Sequence, residues 1–172
     1  MPNAKPHVDL DPIRALAERI AADPTLAETT WRTSVTWEGG LRSTARVRDH
    51  EPIPSDEPAT LGGTDTAPNP VEQLLAALGH CLAVGYVVNA AAEDLELRDL
   101  RIDVEGALDV TTFLGLGDGH AGFRSITVDV RLDADADPEA LERLHERVVA
   151  TSPVGHTLLR PVPVEVTLGG RR

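Results

Sequence analysis

Cys81 is the only cysteine among 172 residues, and it lies in NPVEQLLAALGHCLAV, residues 69–84, the most apolar stretch of the chain. A thiol in that setting has two chemical readings. As a thiolate it is a nucleophile that attacks a peroxide O–O bond and becomes a sulfenic acid. As a packed side chain it is a small hydrophobe, since free cysteine is among the most buried residue types. On the residues by themselves the packed reading is the stronger of the two. Other chemistry-bearing patterns are weaker. Gly117, Gly119 and Gly122 spell G-x-G-x-x-G, but strand alternation follows them where a dinucleotide site needs a helix, so they read as a hairpin. Asp133, Asp135 and Asp137 lack the glycine and terminal glutamate of a calcium loop and read as a solvated helix entry. The six histidines show no metal-ligand spacing, and no metal or cofactor is expected.

The elements that must position Cys81 follow from periodicity. Asp11-Pro12 opens a helix whose Ile13, Leu16, Ala17 and Ile20 share a face, with Asp11 as its cap. Trp31, Thr33, Val35 and Trp37 alternate as a strand, Gly39-Gly40 turns the chain, and Leu41, Ser43, Ala45 and Val47 return as a second strand. DHEPIPSDEPATLGGTDTAPNP, residues 49–70, is dense in Pro, Gly and Asp and reads as one long loop. A helix follows from about Pro70 to Glu93, apolar nearly all round, with Leu74, Leu78, Cys81, Gly85, Val88 and Ala92 on one stripe. A helix of that kind is buried, in a large core or between subunits. Strands through Leu100–Val104 and Ile126–Leu132, a helix capped by Asp137, and a last strand carrying Val162, Val164, Val166 and Leu168 complete the chain. The class is α+β with mainly antiparallel sheets. The expected organisation is an N-terminal extension with one helix over residues 1–30 and one domain over residues 31–172.

Composition narrows the partners. Sixteen basic against 28 acidic residues give a formal charge of −12, which repels a nucleic-acid backbone. No uninterrupted apolar run reaches the roughly 18 residues of a membrane span, and the first residues lack an apolar leader core, so neither membrane nor export is expected. A single cysteine forms no disulfide within the chain, and the expected location is cytoplasmic.

DEPATLGGTDTAPNPVEQLLAALGHCL, residues 56–82, resembles the OsmC/Ohr family of thiol-dependent hydroperoxide reductases: a Pro/Gly-rich loop ending in Asn-Pro, then an Ala/Leu-rich helix with a cysteine eleven residues after the proline. HERVVATSPV, residues 145–154, is similar to the family's second-cysteine segment, and the likeness runs over roughly residues 33–168. The resemblance implies an OsmC-like fold and an intertwined homodimer with the long central helix at the subunit interface. It places the peroxidatic cysteine on Cys81 and the resolving cysteine on Ser152, where no disulfide is possible. The family's glutamate after Asn-Pro falls on Val71, and Glu72, nine residues from Cys81, points to the other side of a straight helix. The family's arginine matches best at Arg42, which shares a strand face with Arg46 and Arg48; a cation beside a thiol favours the thiolate. His80, about 100° round the helix from Cys81, and His156, four residues beyond Ser152, are candidates to line the same pocket.

Two of the four functional positions thus carry different chemistry. The resulting expectation is a one-cysteine organic hydroperoxide reductase in oxidative stress defence, restored by an external thiol. The alternative is a non-catalytic dimer that holds a hydrophobic or electrophilic small molecule in its interfacial pocket. A third reading is a structural dimer whose cysteine only packs.

Overall fold

The computed structural model describes residues 8–169. Helix α1 spans Asp11–Ala22. Its cap is Leu10 rather than Asp11: the backbone N–H of Asp11 donates to the Asp9 carboxylate at 3.0 Å, so that charge serves the first turn from outside the helix. Strands β1 (Ser34–Gly39), β2 (Arg42–Arg46) and β3 (Ile53–Ser55) form an antiparallel sheet in that order. The β1–β2 turn is shifted one residue from the expected Gly39-Gly40: Gly39 ends β1 and pairs with Arg42 across a register shift, Gly40-Leu41 make the turn, and both glycines have positive φ. The register pairs Val35 with Ala45 and Trp37 with Ser43.

Strand β3 corrects the expectation of an unbroken loop over 49–70. Its three residues pair with β2 although Pro54 lacks a donor, because β3 is an edge strand and needs only one side of its backbone. The rest of that loop is held from within. Asp56 is 1% exposed, and its carboxylate accepts from the backbone N–H of Glu57, Thr64 and Thr66 and from the hydroxyls of Thr64 and Thr66. The Thr64 hydroxyl, followed by the other donors, holds the Asp56 carboxyl well below the usual carboxylate range against the opposing effect of burial. A side chain at Gly63 would put its Cβ 1.8 Å from the Glu57 carbonyl oxygen, so the loop closes on itself only with glycine there.

Helix α2 runs from Pro70 to Ala92. Its entry is a reciprocal pair of bonds: Asn69 Oδ1 accepts from the Glu72 N–H at 2.9 Å, and Glu72 Oε2 accepts from the Asn69 N–H at 2.8 Å. Within the chain α2 buries one stripe, Leu78, Leu82, Tyr86 and Ala90, and not its whole circumference; Leu74 is 40% and Val84 64% exposed. By length and composition alone α2 is long and apolar enough to cross a membrane, a property that uninterrupted runs in the sequence do not register. Gln73, His80 and Asn89 break the run in sequence without adding charge.

Strands β4 (Leu97–Leu108) and β5 (Phe123–Ala134) bond as a second sheet. Arg98 on β4 bonds Asp133 on β5 at 2.8 Å, while Gly106 near the end of β4 lies against Phe123 at the start of β5, which sets the strands antiparallel. The glycine pattern at 117–122 falls in their connecting hairpin. Asp137 caps helix α3 (Pro138–Thr151) by accepting from the Ala140 N–H at 2.7 Å, and Leu144 and Val148 on α3 are buried. A further helix, α4 (Pro153–Leu159), follows at once. The last predicted strand is not formed: residues 161–169 are exposed and carry no assigned secondary structure. Val162, Val164, Val166 and Leu168 have the alternation of a strand, but alternation supplies no neighbouring edge to bond.

The chain divides into two compact units. One ends at Ala77 and resumes over Asp103–Asp129; the other comprises Leu78–Ile102 and the chain from Val130 onward. The loop anchored by Asp56 belongs to the first, and the facing parts of α2, α3 and α4 to the second.

Candidate functional site

In the second unit, α2 and α3 meet through contacts that run in opposite order along the two helices. Gly85 faces Val148, Tyr86 faces His145, and Cys81 faces Ser152. Gly85 permits the approach, since a Cβ there would stand 2.9 Å from Val148 Cγ1. Tyr86, almost fully buried, shares a hydrogen bond between its hydroxyl and His145 Nδ1, and the two rings stack at 28°. Burial raises the Tyr86 phenol above its ordinary range, so it stays neutral.

Ser152 stands at the corner between α3 and α4. Pro153 disfavours a helical backbone at the residue before it, and Ser152 is extended, with φ −71° and ψ 113°. That single residue ends α3 and caps α4: its Oγ accepts from the Gly155 N–H at 3.1 Å. The same Oγ lies 3.2 Å from Cys81 Sγ, although the residues are 71 positions apart in sequence. Ser152 is 5% exposed, and Cys81 is half-buried.

The other site candidates fall in different surroundings. His156 is half-buried on α4, one turn beyond Ser152, and its N–H donates to the Ser152 carbonyl at 2.9 Å. His80 adjoins Cys81 on α2 with an exposed side chain. Arg42 opens β2 in the first unit and is exposed. Arg48 does not share its strand face: it lies beyond the end of β2 with φ 51°, where the chain has left the extended conformation. Glu72 is committed to the entry of α2. Among the described residues no group of three or more His, Cys, Asp or Glu side chains could hold a metal ion.

Sequence reading missed two parts of this arrangement. Asn69-x-x-Glu72 has capping-box spacing, so the role of Glu72 was available from the residues. The Tyr86–His145 pair carries no local signal, because it depends on how two helices separated by both long strands come together.

What the paired sulfur and hydroxyl can do is limited by their chemistry. Cys81 can react as a nucleophile, and Ser152 can donate or accept a hydrogen bond but cannot form a disulfide.

The family model described as OsmC-like protein matches residues 63–167, which include α2, Cys81 and Ser152. No curated protein matches. Among solved structures, the fold is similar to an OsmC-like protein from Mycoplasma pneumoniae at 20% identity, covering 77% of this chain and 89% of that one, with a TM-score of 0.67. It is also similar to an organic hydroperoxide resistance protein OsmC from Legionella pneumophila, at 17% identity, 76% and 91% coverage and a TM-score of 0.59. A third likeness is to an organic hydroperoxide resistance protein from Elizabethkingia anophelis, at 15% identity, 75% and 89% coverage and a TM-score of 0.56. With the family match spanning more than half its length, the chain belongs to the OsmC-like family.

Proposed function

We propose that the protein is a one-cysteine reductase of organic hydroperoxides that acts in oxidative stress defence. The observation that carries this reading is the 3.2 Å approach of Cys81 Sγ and Ser152 Oγ, which sets the sole thiol against the position where the family resemblance expects a second one. The Cys81 thiolate attacks the O–O bond of a hydroperoxide, forming the S–O bond of a sulfenic acid and releasing an alkoxide that takes a proton to become the alcohol. Ser152 cannot condense with that sulfenic acid. A low-molecular-weight thiol therefore displaces water to give a mixed disulfide on Cys81, and a second thiol releases the free cysteine and leaves as a disulfide with the first. Arg42 is the cation that the family resemblance offers, and Arg42→Ala should slow the first step; an unchanged rate would remove Arg42 from the proposal.

The functional form in this proposal is a homodimer. Support comes from the apolar faces that one chain leaves open: Leu74 and Val84 on α2, and the alternating valines after Pro161.

The test is direct. Cumene hydroperoxide should convert Cys81 to a dimedone-trappable sulfenic acid faster than it oxidises free cysteine at the same pH. A rate no better than free cysteine would sink the reductase reading. The binding alternative, favoured by Val71 at the family's glutamate position, would then be supported by saturable binding of an apolar fluorophore that is lost with substitution at Cys81.

A further inference from the structure

We propose that Ser152 is a positioning residue for the Cys81 reaction, a hydroxyl whose proton is aimed at the sulfur. This rests on the reading that Cys81 is the reacting atom. A serine hydroxyl has one proton to give and two lone pairs to receive with. One lone pair of Ser152 Oγ is taken by the Gly155 N–H at 3.1 Å. The other polar neighbour of that oxygen is Cys81 Sγ at 3.2 Å, and the residue is buried, so water does not compete for the proton. An N–H only donates, so of these two neighbours only the sulfur can receive the hydroxyl proton.

While Cys81 carries its own proton, the two groups can exchange roles as donor and acceptor. On ionisation the sulfur can only accept, and the O–H···S bond becomes a charge-assisted one. Nothing has to turn to make it, because Oγ is fixed twice over: by the Gly155 bond, and by an extended backbone held on the N-terminal side of Pro153. A donor already aimed at a developing charge stabilises it without reorganisation. The residue that replaces a second thiol thus favours the reactive form of the first. It also leaves the oxidised sulfur open to a thiol from solution.

The experiment uses iodoacetamide on the full chain, with no peroxide, so its result stands apart from whether a hydroperoxide is the substrate. Ser152→Ala and Ser152→Gly both remove the hydroxyl, and glycine is a tolerated helix cap, so at least one variant keeps α4. Losing one bond to a charged group leaves roughly tenfold less thiolate on the rising limb of the pH–rate profile. A less stabilised thiolate is intrinsically more nucleophilic, which returns a factor of about three. The net expectation is alkylation about threefold slower on the rising limb and faster than wild type at the high-pH plateau. The two profiles cross. Ser152→Thr, which keeps the hydroxyl, should restore the wild-type curve. Profiles that superimpose would overturn the proposal. So would a change by one constant factor at every pH, which reports access to the sulfur rather than stabilisation of its charge.

Discussion

Val148 on α3 occupies the space that Gly85 on α2 leaves empty, with its Cγ1 2.9 Å from where a glycine Cβ would stand. Val148 is fully buried and branched at Cβ, so it has no free rotamer to retreat into. The spacing of the helix pair, and with it the approach of Cys81 to Ser152, is set by a missing methyl group.

Gly85→Ala tests that spacing. Alanine favours a helix by up to about 1 kcal/mol over glycine, but overpacking a filled core costs about 1–3 kcal/mol. The expected net result is a destabilisation of about 1 kcal/mol, read as a lower urea midpoint with an unchanged slope. Adding Val148→Ala should recover part of the loss relative to the sum of the single changes. A stabilised single variant would show that the helices have room to spare.

Ser152→Cys tests the site geometry. A disulfide needs Cα atoms roughly 4.4–6.8 Å apart, and side chains whose terminal atoms already lie 3.2 Å apart are placed to meet that condition. After hydroperoxide treatment the variant should lose both thiols together and regain them with a dithiol, whereas wild type stops at the sulfenic acid or a mixed disulfide. A folded variant that forms no internal disulfide would remove Ser152 from the resolving position.

Asp56 predicts an acid limb in stability. Its folded carboxyl is held well below the ordinary range, so the unfolded chain takes up that proton at higher pH than the folded one does. The stabilisation is complete above about pH 4, near the unfolded value, and is lost as pH falls from there toward the folded one. The melting temperature of wild type should therefore climb more steeply between about pH 2 and pH 4 than that of Asp56→Asn. Parallel curves would mean the threonine cage contributes no proton linkage.

Assembly is tested by sedimentation. A homodimer that covers α2 and the last apolar segment should bury more than a standard interface of about 1,600 Å². It should persist at micromolar concentration. A stable, folded monomer there would refute it.

How far the sequence could be read depended on where each signal resides. Periodicity located α2, α3 and the long strands because their apolar faces repeat over many residues. It missed β3, whose three residues are too few to alternate and include Pro54, and it missed α4, which begins at Pro153 directly after Ser152. It placed a strand over Val162–Leu168 because alternation records what a segment can bury, not whether an edge is present to receive it. At the site, the Cys81–Ser152 approach was legible through family resemblance alone, since no local rule links positions in different helices. That one chain buries only a single stripe of α2 was not legible for a related reason: composition gives the apolarity of a helix but not how many of its sides one chain covers.

The prolines after α4 bear on how so exposed a stretch escapes runaway association. In an extended segment, Pro161 and Pro163 turn toward the same edge, and neither has an N–H to offer there. The opposite edge keeps the donors of Val162, Val164, Val166 and Leu168. The segment can therefore be the last strand of a sheet but not an interior one, because any chain approaching the proline side meets missing donors. A stretch with this apolar repeat, and with Leu168 fully exposed, would otherwise be a template for fibre growth. Two imide nitrogens let it join one neighbour and stop.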